Sequence, residues 1–216
     1  MQPRLIGIAG MSGAGKSELA RYTSLHLPEH TQLIWMDSYY WAQDAIPMEE
    51  RVKVNYDHPD ALDWPLFLEH LRAIARGEAI EEPVYLFDRH TRASHTRRIE
   101  PARYVIVEGL LALHHPEIRS LFELKVFVTT PDEVCLARRM ERDIHQRGRT
   151  EESVLAQYHA TVLPMAEQFV KPTGRWADLV VSGEQPLAES YCAVSRSLSP
   201  AGQSEEQLPL FHTLGA

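Results

Sequence analysis

Residues Gly10-Met11-Ser12-Gly13-Ala14-Gly15-Lys16-Ser17 limit what this chain can fold into more than any other stretch. They fit the pattern G-x-x-x-x-G-K-[ST], in which a glycine-rich loop turns its backbone N–H groups inward around phosphate oxygens. That chemistry needs a buried strand before the loop and a helix after it, so that the positive end of the helix dipole faces the anion. Leu5–Ala9 supplies the apolar run and residues 16–26 the amphipathic one. In that setting Lys16 reaches the β- and γ-phosphates of a nucleotide, and Ser17 ligates Mg²⁺. Gly10, Ser12, Gly13, Ala14 and Gly15 line the cradle. A tight glycine turn without a ligand is the plainer alternative. Chance matches to the pattern occur in on the order of one per hundred chains of this length.

Beyond the loop, short apolar runs alternate with longer amphipathic stretches, the pattern of a parallel sheet with crossover helices. Leu5–Ala9, Leu33–Met36, Tyr104–Val107, Val126–Val128 and Leu179–Val181 read as strands. Residues 16–26, 63–76, 116–122, 131–147, 151–168 and 187–198 read as helices. Residues 80–100 break the alternation and read as a projecting β-hairpin. The expected fold is α/β: a P-loop NTPase fold with a five-stranded parallel sheet flanked by helices, the hairpin, and a helical lid at 138–149. The chain has 216 residues, 44% of them hydrophobic and 24% charged, enough for one domain over residues 1–198. Residues 199–216 have little periodicity and read as a mobile tail.

Charge and composition exclude some roles. A formal net charge of −8 argues against a general nucleic-acid binder. No apolar run approaches the roughly 20 residues of a membrane span. The N-terminus runs straight into a strand, so no signal or transit peptide is expected. Two cysteines, Cys135 and Cys192, give no disulfide framework or metal-ligand spacing, which fits a cytoplasmic setting. Of 22 Lys and Arg residues, five lie between Arg89 and Arg103 and five between Arg138 and Arg149. Two such clusters in an acidic protein suit a small polyanion, although solvated faces would look the same.

Most proteins with this loop are switches, motors or kinases. Asn55 is the only asparagine, so the guanine-reading N-K-x-D pattern is impossible, and the chain is short for a motor. A phosphotransferase remains, and it needs a base, an acceptor pocket and cations around the moving phosphoryl group. Glu108 ends an apolar run beside the loop, where it can hold Mg²⁺ through water. Asp37 ends the second run, across the crevice, placed to take a proton from an attacking hydroxyl; capping the next turn is its ordinary alternative. Arg138, Arg139 and Arg142 crowd one helix face, with Arg147 and Arg149 flanking Gly148. They read as a lid over phosphates, with a face neutralised by Glu141 and Asp143 as the competing reading.

In this order the pieces resemble the uridine/cytidine kinase family over about residues 4–182. The resemblance rests on the phosphate loop, Asp37-Ser38-Tyr39-Tyr40, and Asn55-Tyr56-Asp57-His58-Pro59-Asp60-Ala61-Leu62-Asp63. It continues in Pro83-Val84-Tyr85, His90-Thr91-Arg92, Val107-Glu108-Gly109, Arg138-Arg139, Arg142-Asp143, Arg147-Gly148-Arg149, Gln157-Tyr158 and Trp176-Ala177-Asp178. It implies phosphorylation of the 5′-hydroxyl of uridine or cytidine, with Mg²⁺ and with ATP as donor, GTP left open. Asp37 would be the base. Asp57 and Arg139 would hold the ribose hydroxyls, with Gln157 nearby. Tyr85 and His90 would meet the pyrimidine edge, and Phe87 would pack on its ring. Arg142 and Arg147 would attend the phosphates, and Arg149 would also lie near the acceptor. The resemblance further implies a homo-oligomer, commonly a tetramer, and inhibition by CTP or UTP. Tyr85 and Phe87 could instead be plain hairpin packing, and Asp57 a cap for the turn at His58-Pro59.

The chain departs from the family pattern at three places. Trp41 stands where a basic residue is common. Ser182-Gly183-Glu184-Gln185 is shorter and more acidic than the usual loop near the donor base. The tail has no counterpart, and its Gln207-Leu208-Pro209-Leu210-Phe211 is similar to the Q-L-x-L-F peptide that docks into the bacterial replication sliding clamp. A five-residue match arises often by chance, so a segment with no such partner is the plainer reading. Two other readings stand beside the nucleoside kinase. One is a kinase for ribulose phosphate or pantothenate. The other is a nucleotide-dependent binding protein recruited through its tail.

Overall fold

In a computed structural model of the chain, residues 2–199 are described. Seven strands run through them: β1 (Arg4–Gly10), β2 (Thr31–Trp35), β3 (Ile80–Leu86), β4 (Thr91–Ile99), β5 (Tyr104–Glu108), β6 (Leu124–Thr129) and β7 (Leu179–Ser182). Five form a parallel sheet in the order β2-β5-β1-β6-β7. Helices cover both faces of such a sheet, so its inner strands are continuous apolar runs. β5 is buried at every residue, and β1 at all but Arg4. The helices are α1 (Lys16–His26), α2 (Met48–Arg51), α3 (Trp64–Ala75), α4 (Pro116–Arg119), α5 (Asp132–Arg147), α6 (Glu151–Gln157), α7 (Leu163–Met165) and α8 (Leu187–Leu198). None is long and apolar enough to cross a membrane. The tail beyond Ser199, including Gln207–Phe211, lies outside the described residues.

Three expected elements are corrected. β2 stops at Trp35, because Met36–Tyr39 winds into a 3₁₀ turn. The helix expected at 116–122 is one turn, Pro116–Arg119, since the Glu123 N–H bonds the Leu5 carbonyl and draws the chain into β6. The helix expected at 151–168 is interrupted by π turns at Tyr158–Val162 and Ala166–Val170. Its buried residues explain why: Val154, Tyr158, Val162, Ala166 and Val170 recur every fourth position. Four residues of regular α-helix overshoot a full turn by about 40°. π turns hold more residues per turn and take up that overshoot, so the stripe stays on one face.

β3 and β4 form the expected hairpin, with Tyr85 opposite Arg92 and Leu86 opposite Thr91. It shares no ladder with the main sheet and is fastened to it by side chains. Glu82 accepts from the Trp35 N–H at 3.0 Å and pairs with Arg97, which donates to the Leu33 carbonyl at 2.7 Å. Arg92 donates to the carbonyls of Tyr39 (3.0 Å) and Tyr40 (2.8 Å) and to Asp63 (3.1 Å). These bonds bracket the turn that carries Asp37.

Candidate active site

The glycines of the loop are required by its shape. Gly13 (φ 84°) and Gly15 (φ 97°) hold left-handed backbone, which side chains disfavour. A Cβ at Gly13 would strike the Cys135 carbonyl on α5. Lys16 and Ser17 open α1, so the loop's N–H groups and the helix dipole share one concavity.

Glu108 is the last residue of β5, in register with Ile8 of β1 and Trp35 of β2. It is 6% exposed, and its Oε2 has no hydrogen-bond partner. Burial pushes its carboxyl above the ordinary range, and the Lys16 charge draws it back down. A buried carboxylate oxygen aimed beside Ser17 fits a hydrated Mg²⁺, which takes one or two carboxylates plus substrate phosphates. Among the described residues no cluster of three or more His, Cys, Asp or Glu could cage a metal alone.

Asp37 sits on the Met36–Tyr39 turn at the same end of the sheet, and its side chain caps nothing there. Its charge is felt by Glu108 and by Asp57, so three carboxylates converge near Lys16. The Asn55–Asp63 block presents Asp57. Asn55 Oδ1 accepts from the Asp57 N–H at 3.2 Å, His58 Nδ1 accepts from Asp60 N–H at 3.1 Å, and Asp63 caps α3 through Leu66 N–H at 3.1 Å. His58 therefore takes the capping role considered for Asp57. Burial raises the Asp57 carboxyl, with Arg139 the main opposing charge.

An aromatic wall stands beyond. Tyr40 lies 5.3 Å from both Tyr56 and Tyr85, Tyr56 stacks on His90 at 5.2 Å, and Tyr85 meets Phe87 at 5.3 Å. The Tyr85 hydroxyl is buried without a partner. Burial lowers the His90 pKa, and Arg51, Arg147 and Arg149 lower it further, so the imidazole stays neutral near pH 7. Phe87 is 47% exposed and lies under Arg147, with the guanidinium 5.5 Å from its ring centre. Tyr40 and Tyr56 were not singled out from sequence, although both lie in the blocks that carry the resemblance.

The end of α5 closes the site. Arg139 donates to Ser12 Oγ and to Gln157 Oε1, both at 2.9 Å, and Arg142 reaches Ser12 Oγ at 3.4 Å. Arg149 also bonds Gln157. Arg138 donates to the carbonyls of Gly13 and Gly183. Burial lowers the Arg139 pKa, with Asp57 and Asp143 opposing. Arg139 and Asp57 feel each other's charge, yet no hydrogen bond or ion pair joins them among the described residues. Behind the loop lies a cavity of about 300 Å³, lined by Gly15, Leu19, Val128, Arg138, Gln185 and Ser190. It borders the Ser182–Gln185 segment. A larger hollow of about 480 Å³, between α3 and α4, is lined by Trp64, Leu68, Arg72 and His115, none of them placed in this chemistry.

Residues 5–186 match the model of the phosphoribulokinase/uridine kinase family. A uridine kinase of Lactobacillus johnsonii is 47% identical over 191 residues, covering 87% of this chain and 90% of that protein. The chain belongs to this family. A uridine kinase of Salmonella paratyphi B is 47% identical over 182 residues, 82% of this chain and 85% of that one. The fold of the family extends to more distant solved structures. A putative fructose transport system kinase from Silicibacter superposes with a TM-score of 0.67 at 21% identity, covering 83% of this chain and 90% of that one. Phosphoribulokinase from Rhodobacter spheroides does so with 0.63 at 15%, covering 86% and 74%. Membership makes the protein a kinase, and the expected α/β fold with its five-stranded parallel sheet is the one observed.

Proposed function

We propose that the protein transfers the γ-phosphate of ATP to the 5′-hydroxyl of uridine and cytidine. One observation carries this reading: the carboxylates of Asp37 and Asp57 lie between the phosphate loop and an aromatic wall that holds an unpartnered Tyr85 hydroxyl. That order matches a nucleoside: 5′-hydroxyl toward the loop, ribose at Asp57, pyrimidine at the wall. Uridine kinases are also its 47% identical relatives.

In this reading Asp37 accepts the proton of the 5′-hydroxyl as its oxygen attacks the γ-phosphorus. Lys16, Arg142 and Arg147 balance the charge of the moving phosphoryl group. Arg139, Arg149 and Gln157 close over the acceptor. Ser17 and Glu108 would hold Mg²⁺, which when bound draws negative charge from the phosphates. The cavity behind the loop takes the donor base. A sugar phosphate, as in the ribulose-phosphate alternative, would want cations at the far wall, where this chain presents three tyrosines and a neutral histidine. The test is ADP release with ATP or GTP against uridine, cytidine, thymidine, adenosine and ribulose 5-phosphate. Uridine and cytidine should be the acceptors; turnover on ribulose 5-phosphate alone would reject the reading.

His90 should set the balance between the two pyrimidines. A neutral imidazole donates or accepts according to tautomer, so it can serve the uracil O4 or the cytosine amino group. His90→Gln and His90→Tyr are expected to change the uridine-to-cytidine ratio of kcat/KM by about tenfold, the worth of one hydrogen bond. Affinity for ATP should barely move. An unchanged ratio in both variants places base selection elsewhere.

A further inference from the structure

We propose that Asp143 is a positioning residue whose buried carboxylate gathers the lid arginines around the phosphate loop before nucleotide arrives. Its side chain is 0% exposed and faces four guanidinium groups: Arg142 at 2.9 Å, Arg147 at 3.4 Å, Arg139 at 3.5 Å and Arg149 at 3.7 Å. Like charges this close repel strongly away from water, so without a shared counter-charge the four would splay. One carboxylate leaves the group with a net positive charge, directed at the loop, because Arg139 and Arg142 both reach Ser12 Oγ.

The backbone of the same residue shapes the turn. The Asp143 carbonyl accepts from the N–H groups of Gly148 and Arg149, with Gly148 left-handed at φ 63°. That reversal brings Arg149 back to a carboxylate one and a half turns earlier in the chain. Asp143 Oδ2 and Arg139 Nε are buried without hydrogen-bond partners. The cluster is held by charge more than by directed bonds, and a phosphate oxygen would complete it.

The proposal rests on the kinase reading above, and its test keeps the two separable. Asp143→Asn in the full-length protein keeps the size and removes the charge. Its melting temperature should stay within a few degrees of wild type. Affinity for inorganic tripolyphosphate should stay within about threefold, since added positive charge offsets lost order, while kcat with ATP and uridine falls at least about tenfold. Added KCl should recover part of the variant's turnover by screening the repulsion, yet lower kcat/KM for ATP in the wild type. Turnover within about threefold of wild type overturns the proposal. So does a joint fall in melting temperature, binding and turnover with an unaltered salt response, which marks a structural role only. Should Asp143→Asn fail to fold, Asp143→Glu carries the test. It keeps the charge and lengthens the reach, so turnover should fall while melting holds, and wild-type turnover overturns the proposal. A wild-type protein inactive on uridine rejects the substrate reading instead, and the same comparison is then run on the acceptor the panel identifies.

Discussion

Asp37→Asn should lower turnover on uridine by about 10²–10⁴-fold, the usual worth of a positioned general base. The substitution keeps the shape of the side chain and an oxygen that can accept a hydrogen bond. It removes the group that can carry away the proton. Asp37 caps no turn and lies on a segment already fixed by Arg92 and by the hairpin contacts at Trp35, so the fold should be indifferent to the change. Binding of ATP, held by the loop and α1, should be nearly unchanged. Steady-state kinetics at saturating ATP and uridine, with the melting temperature of both proteins, measure this. Turnover within about threefold of wild type would remove Asp37 from the mechanism.

The second large effect concerns ribose. The Asp57 carboxylate can only accept, and two vicinal hydroxyls are a matching pair of donors. A site built around a hydroxyl rejects the analogue that lacks it, because its own buried group is left unpaired. Asp57 is buried enough for that penalty to apply, and its neighbours in the Asn55–Asp63 block already serve the scaffold. Uridine should be strongly preferred to 2′-deoxyuridine. Asp57→Ala should cost uridine about 10²–10⁴-fold in kcat/KM, two charge-assisted hydrogen bonds, and cost the deoxy analogue much less. The gap between the substrates then narrows. An equal loss on both would make Asp57 a structural residue.

What the sequence makes legible follows from how local each cause is. β1, β5 and β6 stand out because burial on both faces leaves unbroken apolar runs. The phosphate loop stands out because its geometry needs glycine at Gly13 and Gly15 and a helix immediately after. The end of β2 is not legible, because the turn at Met36 is shaped by Arg92, about fifty residues away. Nor is the shortness of α4, which depends on a bond from Glu123 to Leu5 across the sheet. In the site, Asp37 and Glu108 are readable as carboxylates that end strands. Tyr40 and Tyr56 are not, since they become a wall only when the hairpin folds Tyr85 and His90 against them. Asp143 looks like one acid on a basic helix until the chain beyond Gly148 returns Arg149 to it.

The π turns after α6 bear on which changes this segment can accept over evolution. Each holds a residue more than an α turn would, and together they keep Val154, Tyr158, Val162, Ala166 and Val170 on one buried stripe. Exchanging one small apolar residue for another there alters only local packing. Deleting a single residue between Tyr158 and Val162 would rotate everything downstream by about 100°, carrying Ala166 and Val170 out of the core while Gln157 kept its hold on Arg139. The reading frame of the stripe is thus set by the number of residues more than by their identity. Relatives should differ here by substitution and hardly ever by length.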